Sequence, residues 1–258
     1  MMNRSNYHTH TFRCGHASGT EEDYVLEAIK NNTEVLGISD HGPFPDIYHD
    51  YKMKFEDFPS YLEAVDDMKV KYKDKIKILK AVEIEYFPQE INFYEDLLTK
   101  YNLDYLLLGQ HMFYKNNKLV TYDLIKDTSL IIDYAISLKE AMDTKLFKMI
   151  AHPDFFMKFF LPYDDNSKKA TDIILNAAVK NNTILEINAN GIRCGKFDTP
   201  DGYRYMYPFI PFWEEVAKTN IQVVVNSDCH NPKDMWDDAM LQGRKLAEEL
   251  NVTTIKQI

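Results

Sequence analysis

Cysteine is scarce in this sequence. Cys14, Cys194 and Cys229 are an odd number and too few for a disulfide framework, so they read as reduced thiols in a cytoplasmic protein. Basic charge is short as well: 30 Lys and Arg stand against 40 Asp and Glu, a net charge of -10. That balance disfavours a protein that grips a nucleic-acid backbone through a basic surface. No apolar run approaches the roughly 18 residues of a membrane span, and the N-terminus has no stretch of signal-peptide length. The expectation is a soluble protein without nucleic-acid or membrane partners, a monomer or homodimer. There is also no low-complexity linker, no internal repeat and no compositional shift, so residues 1–258 are expected to form a single domain.

What is present is ample core-forming material: 45% of residues are hydrophobic, with 17 Tyr and 15 Phe. Short apolar runs at 4–8, 35–39, 78–83, 105–109, 148–151, 183–188 and 222–226 read as strands. Between them lie stretches such as EEDYVLEAIK, FPSYLEAVDDMKVKY, LIIDYAISLKEAM, ATDIILNAAVK and PFWEEVAKT, with apolar positions three and four residues apart, as in amphipathic helices. Alternating βα units predict an α/β fold with a parallel sheet. Their number and spacing suit a closed, TIM-like barrel. The competing fold, an open doubly wound sheet, finds no support because no Gly-rich dinucleotide fingerprint is present.

The histidines, eight in all, fall on this map in a pattern. His8 and His10 end the first strand, and Asp40 with His41 follow the second. Glu83 ends the third, His111 follows the fourth and His152 the fifth. Asp228 and His230 follow the last. Only His16, in the first loop, and His49, read as a loop residue, stand apart from strand ends. Barrel sites are built at the C-terminal ends of strands, so these groups should share one face. In His8-Thr9-His10 and Asp228-Cys229-His230 the i, i+2 spacing puts both outer side chains on one side of an extended strand. Cys229 then points the other way and reads as a packing thiol, while Cys14 and Cys194 read as free loop thiols. Neutral imidazole with carboxylate suits Zn, Mn or Fe. The groups His8, His10, His16, His41, Glu83, His111, His152, Asp228 and His230 are too many for one ion and fit two or three divalent ions, with Glu83 or Asp228 able to bridge. Glu85 is the alternative to Glu83 on the same strand face.

The ordered set HTH, CGHA, SDHGPFP, AVEIEYFP, LGQH, AHPD, EINANGIR and NSDCH resembles the PHP (polymerase and histidinol phosphatase) superfamily. CGHA and GIR resemble its histidinol-phosphate phosphatase branch. The resemblance runs from Tyr7 to about Pro232. It implies a distorted (β/α)7 barrel with a trinuclear metal site. His8 and His10 would share the first ion with Glu83 and Asp228. Glu83, His111 and His152 would hold the second, and His16, His41 and His230 the third. Two positions depart from the family pattern: Gln110 stands where a small residue is usual, and Ala81 replaces the glycine of G-x-E.

Such a centre implies hydrolysis of a phosphate ester. Water bound between ions deprotonates near neutral pH and is placed for in-line attack on phosphorus, while the remaining positive charge steadies the leaving oxygen. A phosphomonoester also calls for a cationic clamp. Arginines are few; Arg193, at the GIR position, is the expected one, with Lys158 beside it as a weaker candidate. Arg193, Asp228 and His230 are the residues expected to act in catalysis. Asp40 and Asp154 are expected to orient ligand histidines, although Asp40 could equally cap the turn that follows it. The aromatic stretches FFMKFF and YRYMYPFIPF read as core or lid packing, or as a wall for an imidazole ring. The expected activity is hydrolysis of the small-molecule phosphate ester L-histidinol phosphate, in histidine biosynthesis. The competing readings are a phosphoesterase for another small ester or a nucleotide, an exonuclease-like module, and a metal-sensing or storage protein.

Overall fold

The computed structural model describes residues 4–46, 51–121, 124–159 and 161–258, so His49 lies outside the described residues. The apolar runs form short parallel strands because they are buried on both faces and too brief for helices. They are β1 (Ser5–Asn6), β2 (Val35–Ile38), β3 (Lys77–Ile84), β4 (Tyr105–Leu108), β7 (Met149–Ile150), β8 (Ile184–Asn188) and β11 (Gln222–Asn226); with the exposed β12 (Thr253–Thr254) added beside β11, they are hydrogen-bonded in that order in one curled sheet. Two antiparallel hairpins interrupt the βα rhythm: β5 (Met112–Lys115) with β6 (Lys118–Thr121), and β9 (Lys196–Thr199) with β10 (Gly202–Tyr205).

The helices wrap the outside: α1 (Glu21–Lys30), α2 (Phe58–Lys71), α3 (Ile91–Thr99), α4 (Ser129–Thr144), α5 (Asp165–Asn181), the short α6 (Ala189–Arg193), α7 (Ile210–Val216) and α8 (Asp238–Glu249). Their starts are chemically marked. Thr20 and Asp23 form a reciprocal capping box on α1, and the carboxylates of Asp164 and Asp237 cap α5 and α8.

Period-two alternation sorts the strand side chains into two cores. Leu106 and Leu108 of β4, Leu185 and Ile187 of β8, and Val223 and Val225 of β11 pack outward under the helices. Ala81, Tyr105, Leu107, Met149, Ile184 and Val224 pack together inside the barrel.

The barrel closes at the C-terminal end of its strands. Thr9 and Cys229 form a parallel bridge, and His10 N donates to Cys229 O at 3.1 Å. Below that, side chains replace the ladder: Tyr7 N donates to Asn226 Oδ1 at 2.8 Å and Ser227 N to Asn6 Oδ1 at 3.0 Å. This seam explains why β1 covers two residues rather than the 4–8 run. At the opposite end β12 pairs with β11, and Ser5 Oγ reaches Lys256 O at 3.1 Å. The result is a distorted TIM-like barrel. The hairpins, α6 and β12 were not anticipated: each of these segments is at most five residues long, too short to establish a period.

Candidate metal centre

The inward row of β3 runs Ala81, Glu83, Glu85, so Glu83 rises directly above the barrel's apolar interior. It is 1% exposed and stands at the centre of the histidine cluster. Its Oε2 lies 2.9 Å from His41 Nδ1, 3.4 Å from His8 Nε2 and 3.6 Å from His10 Nε2. Its Oε1 lies 3.1 Å from His152 Nε2 and 3.7 Å from His111 Nε2. Asp228 Oδ1 approaches His10 Nε2 at 2.9 Å, His8 Nε2 at 3.5 Å and His230 Nδ1 at 3.7 Å. His16 Nε2 meets His230 Nε2 at 3.1 Å, and its ring stacks on His41 with centroids 5.2 Å apart. All nine expected groups therefore share one mouth. His10 lies at the boundary between the expected first and third sets, stacked on His41 at 4.1 Å and on His230 at 4.3 Å.

Burial grades the cluster. His8 and His10 are fully buried, His111 and His230 are half-buried around the opening, and His16 is exposed. The backbone is strained at two of the positions: His152 has φ +31° and Asp228 has φ +46°, a region that side chains other than glycine rarely adopt.

Electrostatics divides the imidazoles. Burial pushes His16 and His41 down, with His10 adding to the effect, and the same causes take His230 to about 4. These three are neutral near pH 7, as cation donors must be. Burial also opposes charge at His8 and His10, yet neighbouring carboxylates win. Asp228, Glu186 and Glu83 hold His8 well above the ordinary histidine value, and Asp228 with Asp40 holds His10 at about 9. Glu83 and Asp228 are kept ionised, far below their ordinary values, by the histidines around them despite their burial.

These residues fit divalent cations. His10 Nδ1, His41 Nδ1, His152 Nδ1 and Glu83 Oε2 are buried without a hydrogen-bond partner, although His41 Nδ1 and Glu83 Oε2 are only 2.9 Å apart. Lone pairs gathered this closely without hydrogen-bond geometry are costly in protein alone and are satisfied by a cation. Compact donor groupings recur among the described residues: His8, His10 and Asp228; His10, His41 and His230; His41, Glu83 and His111.

Around the centre lies a cavity of about 460 Å³, lined by the mouth histidines together with Lys52, Glu85, Phe155, Lys158, Arg193 and Tyr207. Lys158 carries its ammonium over the Phe155 ring at 4.7 Å, and burial lowers its basicity.

Arg193 lines the cavity as expected, but its donors are already engaged. Nε and Nη2 fork onto Asp237 at 2.7 and 3.2 Å, Nη1 reaches Asn190 Oδ1 and Ser227 O, and Nη2 reaches Asp234 O. It ties α6 to the segment just before Asp228. Gly191 lets α6 lie against the backbone of Tyr207, since a Cβ there would stand 2.0 Å from Tyr207 O.

Two other expectations need correction. Asp154 holds no histidine in place: its Oδ2 accepts from Phe209 N at 2.6 Å and Trp213 Nε1 at 2.9 Å, fastening α7. Cys14, read as a loop thiol, is fully buried and donates to Thr11 O. The carboxylate of Asp40 accepts from Thr11 N and His41 N, and its Oδ1 lies 3.7 Å from His10 Nδ1, beyond hydrogen-bond distance. Gln110 does not line the cavity; it is bound to Tyr86, Met112 and Ser137.

Glu186 and Lys52 went unread in the sequence, and Glu85 was read only as the alternative to Glu83. Glu186 accepts from His8 Nδ1 at 3.0 Å, Glu85 pairs with His111 Nδ1 at 3.1 Å, and Lys52 Nζ lies 2.6 Å from Glu85 Oε2. A signal for Glu186 existed: it is a charge in the middle of β8, a strand buried throughout.

A curled parallel barrel with histidines and carboxylates converging at its C-terminal mouth is the class that fold and site define. Residues 6–190 match the PHP domain model, and the chain belongs to that family. It is 26% identical over 233 residues to the "Probable histidinol-phosphatase" of Deinococcus radiodurans, covering 87% of this chain and 85% of the relative. It is 24% identical over 264 residues to the histidinol-phosphatase of Bacillus subtilis, covering 91% and 96%. A histidinol phosphate phosphatase from Lactococcus lactis, solved with zinc, L-histidinol and phosphate, shares the fold. The TM-score is 0.74 at 16% identity, with 98% of this chain and 95% of that one covered.

Proposed function

We propose that this protein is a metal-dependent phosphomonoesterase that hydrolyses L-histidinol phosphate to L-histidinol and phosphate, a step of histidine biosynthesis. The observation that carries the reading is the convergence of imidazoles from four chain segments on the buried carboxylate of Glu83. The names and coverage of the relatives support the choice of ester.

His8, His10, Glu83 and Asp228 would hold one divalent ion of the Zn, Mn or Fe type, and Glu83, His111 and His152 a second. His16, His41 and His230 would hold a third. When bound, such ions supply Lewis acidity toward phosphoryl oxygens and make water nucleophilic near neutral pH. Water oxygen then forms the new P–O bond, and the ester oxygen leaves as the alcohol of histidinol after taking a proton.

The chain's own residues prepare this step. Glu83 and Asp228, kept ionised, hold cationic charge at the mouth. Lys158 and Arg193 raise the local positive potential and draw in the phosphate dianion, Lys158 as the direct contact. Phe155 and Tyr207 give the cavity an aromatic wall suited to an imidazole ring.

The test is to purify the protein and count metals per chain. Phosphate release is then measured from histidinol phosphate, nucleotides and an aryl phosphate. Selective turnover of histidinol phosphate is expected. Comparable rates on all esters would remove the specific substrate, and DNA trimming without monoester turnover would remove the class.

A further inference from the structure

Two buried carboxylates outside the expected ligand set each bond a histidine that faces Glu83. Glu186 receives His8 Nδ1 on both oxygens, at 3.1 and 3.0 Å, and His8 Nε2 then faces Glu83 Oε2 and Asp228 Oδ1. Glu85 Oε1 receives His111 Nδ1 at 3.1 Å, and His111 Nε2 faces Glu83 Oε1. Both carboxylates are within 1% of complete burial.

Each is itself held by donors. Asn188 Nδ2 donates to Glu186 Oε1 at 2.6 Å, and Asn226 Nδ2 to Glu186 Oε2 at 2.8 Å. Asn188 Nδ2 also reaches Asp228 Oδ2 at 3.0 Å, so one amide sets the spacing between the two acids. Lys52 Nζ, from the chain between β2 and α2, holds Glu85 Oε2.

From this geometry we infer that Glu186 and Glu85 are positioning residues. Each fixes the Nδ1–H form of its histidine, so that the Nε2 lone pairs of His8 and His111 converge on Glu83. Each thereby governs a different cation position, Glu186 the one at His8 and His10, Glu85 the one at His111 and His152. This rests on the metal-centre reading above.

Amide replacement discriminates well here, because Glu186 accepts on both oxygens. In Glu186→Gln one Nε2–H must point at an asparagine amide or at His8 Nδ1–H. In Glu85→Gln it must point at Lys52 or at His111 Nδ1–H. Outer-sphere partners of ligating histidines typically account for about 10–100-fold in metal affinity.

The experiment is zinc titration of wild type, Glu186→Gln and Glu85→Gln against a chelating competitor, with metal content counted by mass spectrometry. Each variant is expected to bind one class of ion about 10–100-fold more weakly and to keep the other, and the double variant to lose both. Histidine ¹⁵N shifts of the zinc-loaded wild type, which need no variant to fold, are expected to show Nδ1–H for His8 and His111. Variants with wild-type affinities, or Nε2–H forms of either histidine, would overturn the inference while leaving the metal centre standing. A wild type that takes up no zinc would end both.

Discussion

A Cβ on Gly109 would stand 2.1 Å from Oε1 of Glu83. The end of β4 is bare because the carboxylate fills the space a side chain would need. Gly109→Ala must therefore displace the group that faces His8, His41, His111 and His152. Forcing a methyl into a filled interior costs about 1–3 kcal/mol. The expected outcome is a folded protein of lowered melting temperature that has lost bound metal and most of its turnover, read by thermal denaturation, elemental analysis and phosphate release. Full metal content in this variant would mean that Glu83 is not needed as a ligand.

His10 sits between two rings and against Asp228, so its loss touches two of the donor groupings. His10→Ala should lower kcat/KM by about 100-fold or more and reduce the metal count by at least one ion, with secondary structure retained. Retained full activity would contradict the whole site. Dialysis of the wild type against a strong chelator should abolish turnover, and added divalent metal should restore it.

Arg193 and Lys158, the cations expected to meet the substrate, should separate by their effects. Arg193→Lys keeps the charge but loses the fork onto Asp237 and the bonds to Ser227 O and Asp234 O, so its melting temperature should fall by the equivalent of about 1 kcal/mol while KM rises. Lys158→Met should raise KM about tenfold, the loss of one charge-assisted hydrogen bond, with the melting temperature little changed. Steady-state kinetics beside thermal melts checks both; an unchanged KM in Lys158→Met would remove it from substrate binding.

Asp154 receives the backbone N–H of Phe209 and the indole N–H of Trp213 in a fully buried setting. Asp154→Ala strands both donors, each at a cost of about 1–3 kcal/mol, so chemical denaturation should show a large loss of stability. Asp154→Asn, which keeps one acceptor, should lose less. Equal stability of both variants and wild type would contradict the anchoring role.

The three thiols should differ in reactivity. Cys194 is exposed, whereas Cys14 and Cys229 are buried and burial pushes each thiol up to about 12. Native protein treated with iodoacetamide at pH 8 should carry a single modification at Cys194, and all three should react after denaturation, as peptide mass spectrometry will show. Labelling of Cys229 in the native state would mean that the seam between β1 and β11 opens.

The parallel barrel was legible because its strands are short unbroken apolar runs separated by amphipathic segments, a pattern set by burial on both strand faces. The gathering of these histidines and carboxylates at one mouth was legible because most of them sit at the ends of those runs, where the chain leaves the interior. The hairpins and β12 were not, since strands of two to four residues are too short to show a periodic signal. Asp154 was misread for a related reason. Its neighbour in sequence is a histidine, but its partners, Phe209 and Trp213, lie more than fifty residues away.

By itself, then, the sequence determined the strands, the mouth and the residue types gathered there, because side-chain alternation and strand ends are local properties. Only the tertiary structure decided which atoms face which. That Glu186 and Glu85 turn His8 and His111 toward Glu83, and that Arg193 is tied to Asp237, depends on strands and loops far apart in the chain. Hydrogen-bond direction between them is set by packing, which no local pattern encodes.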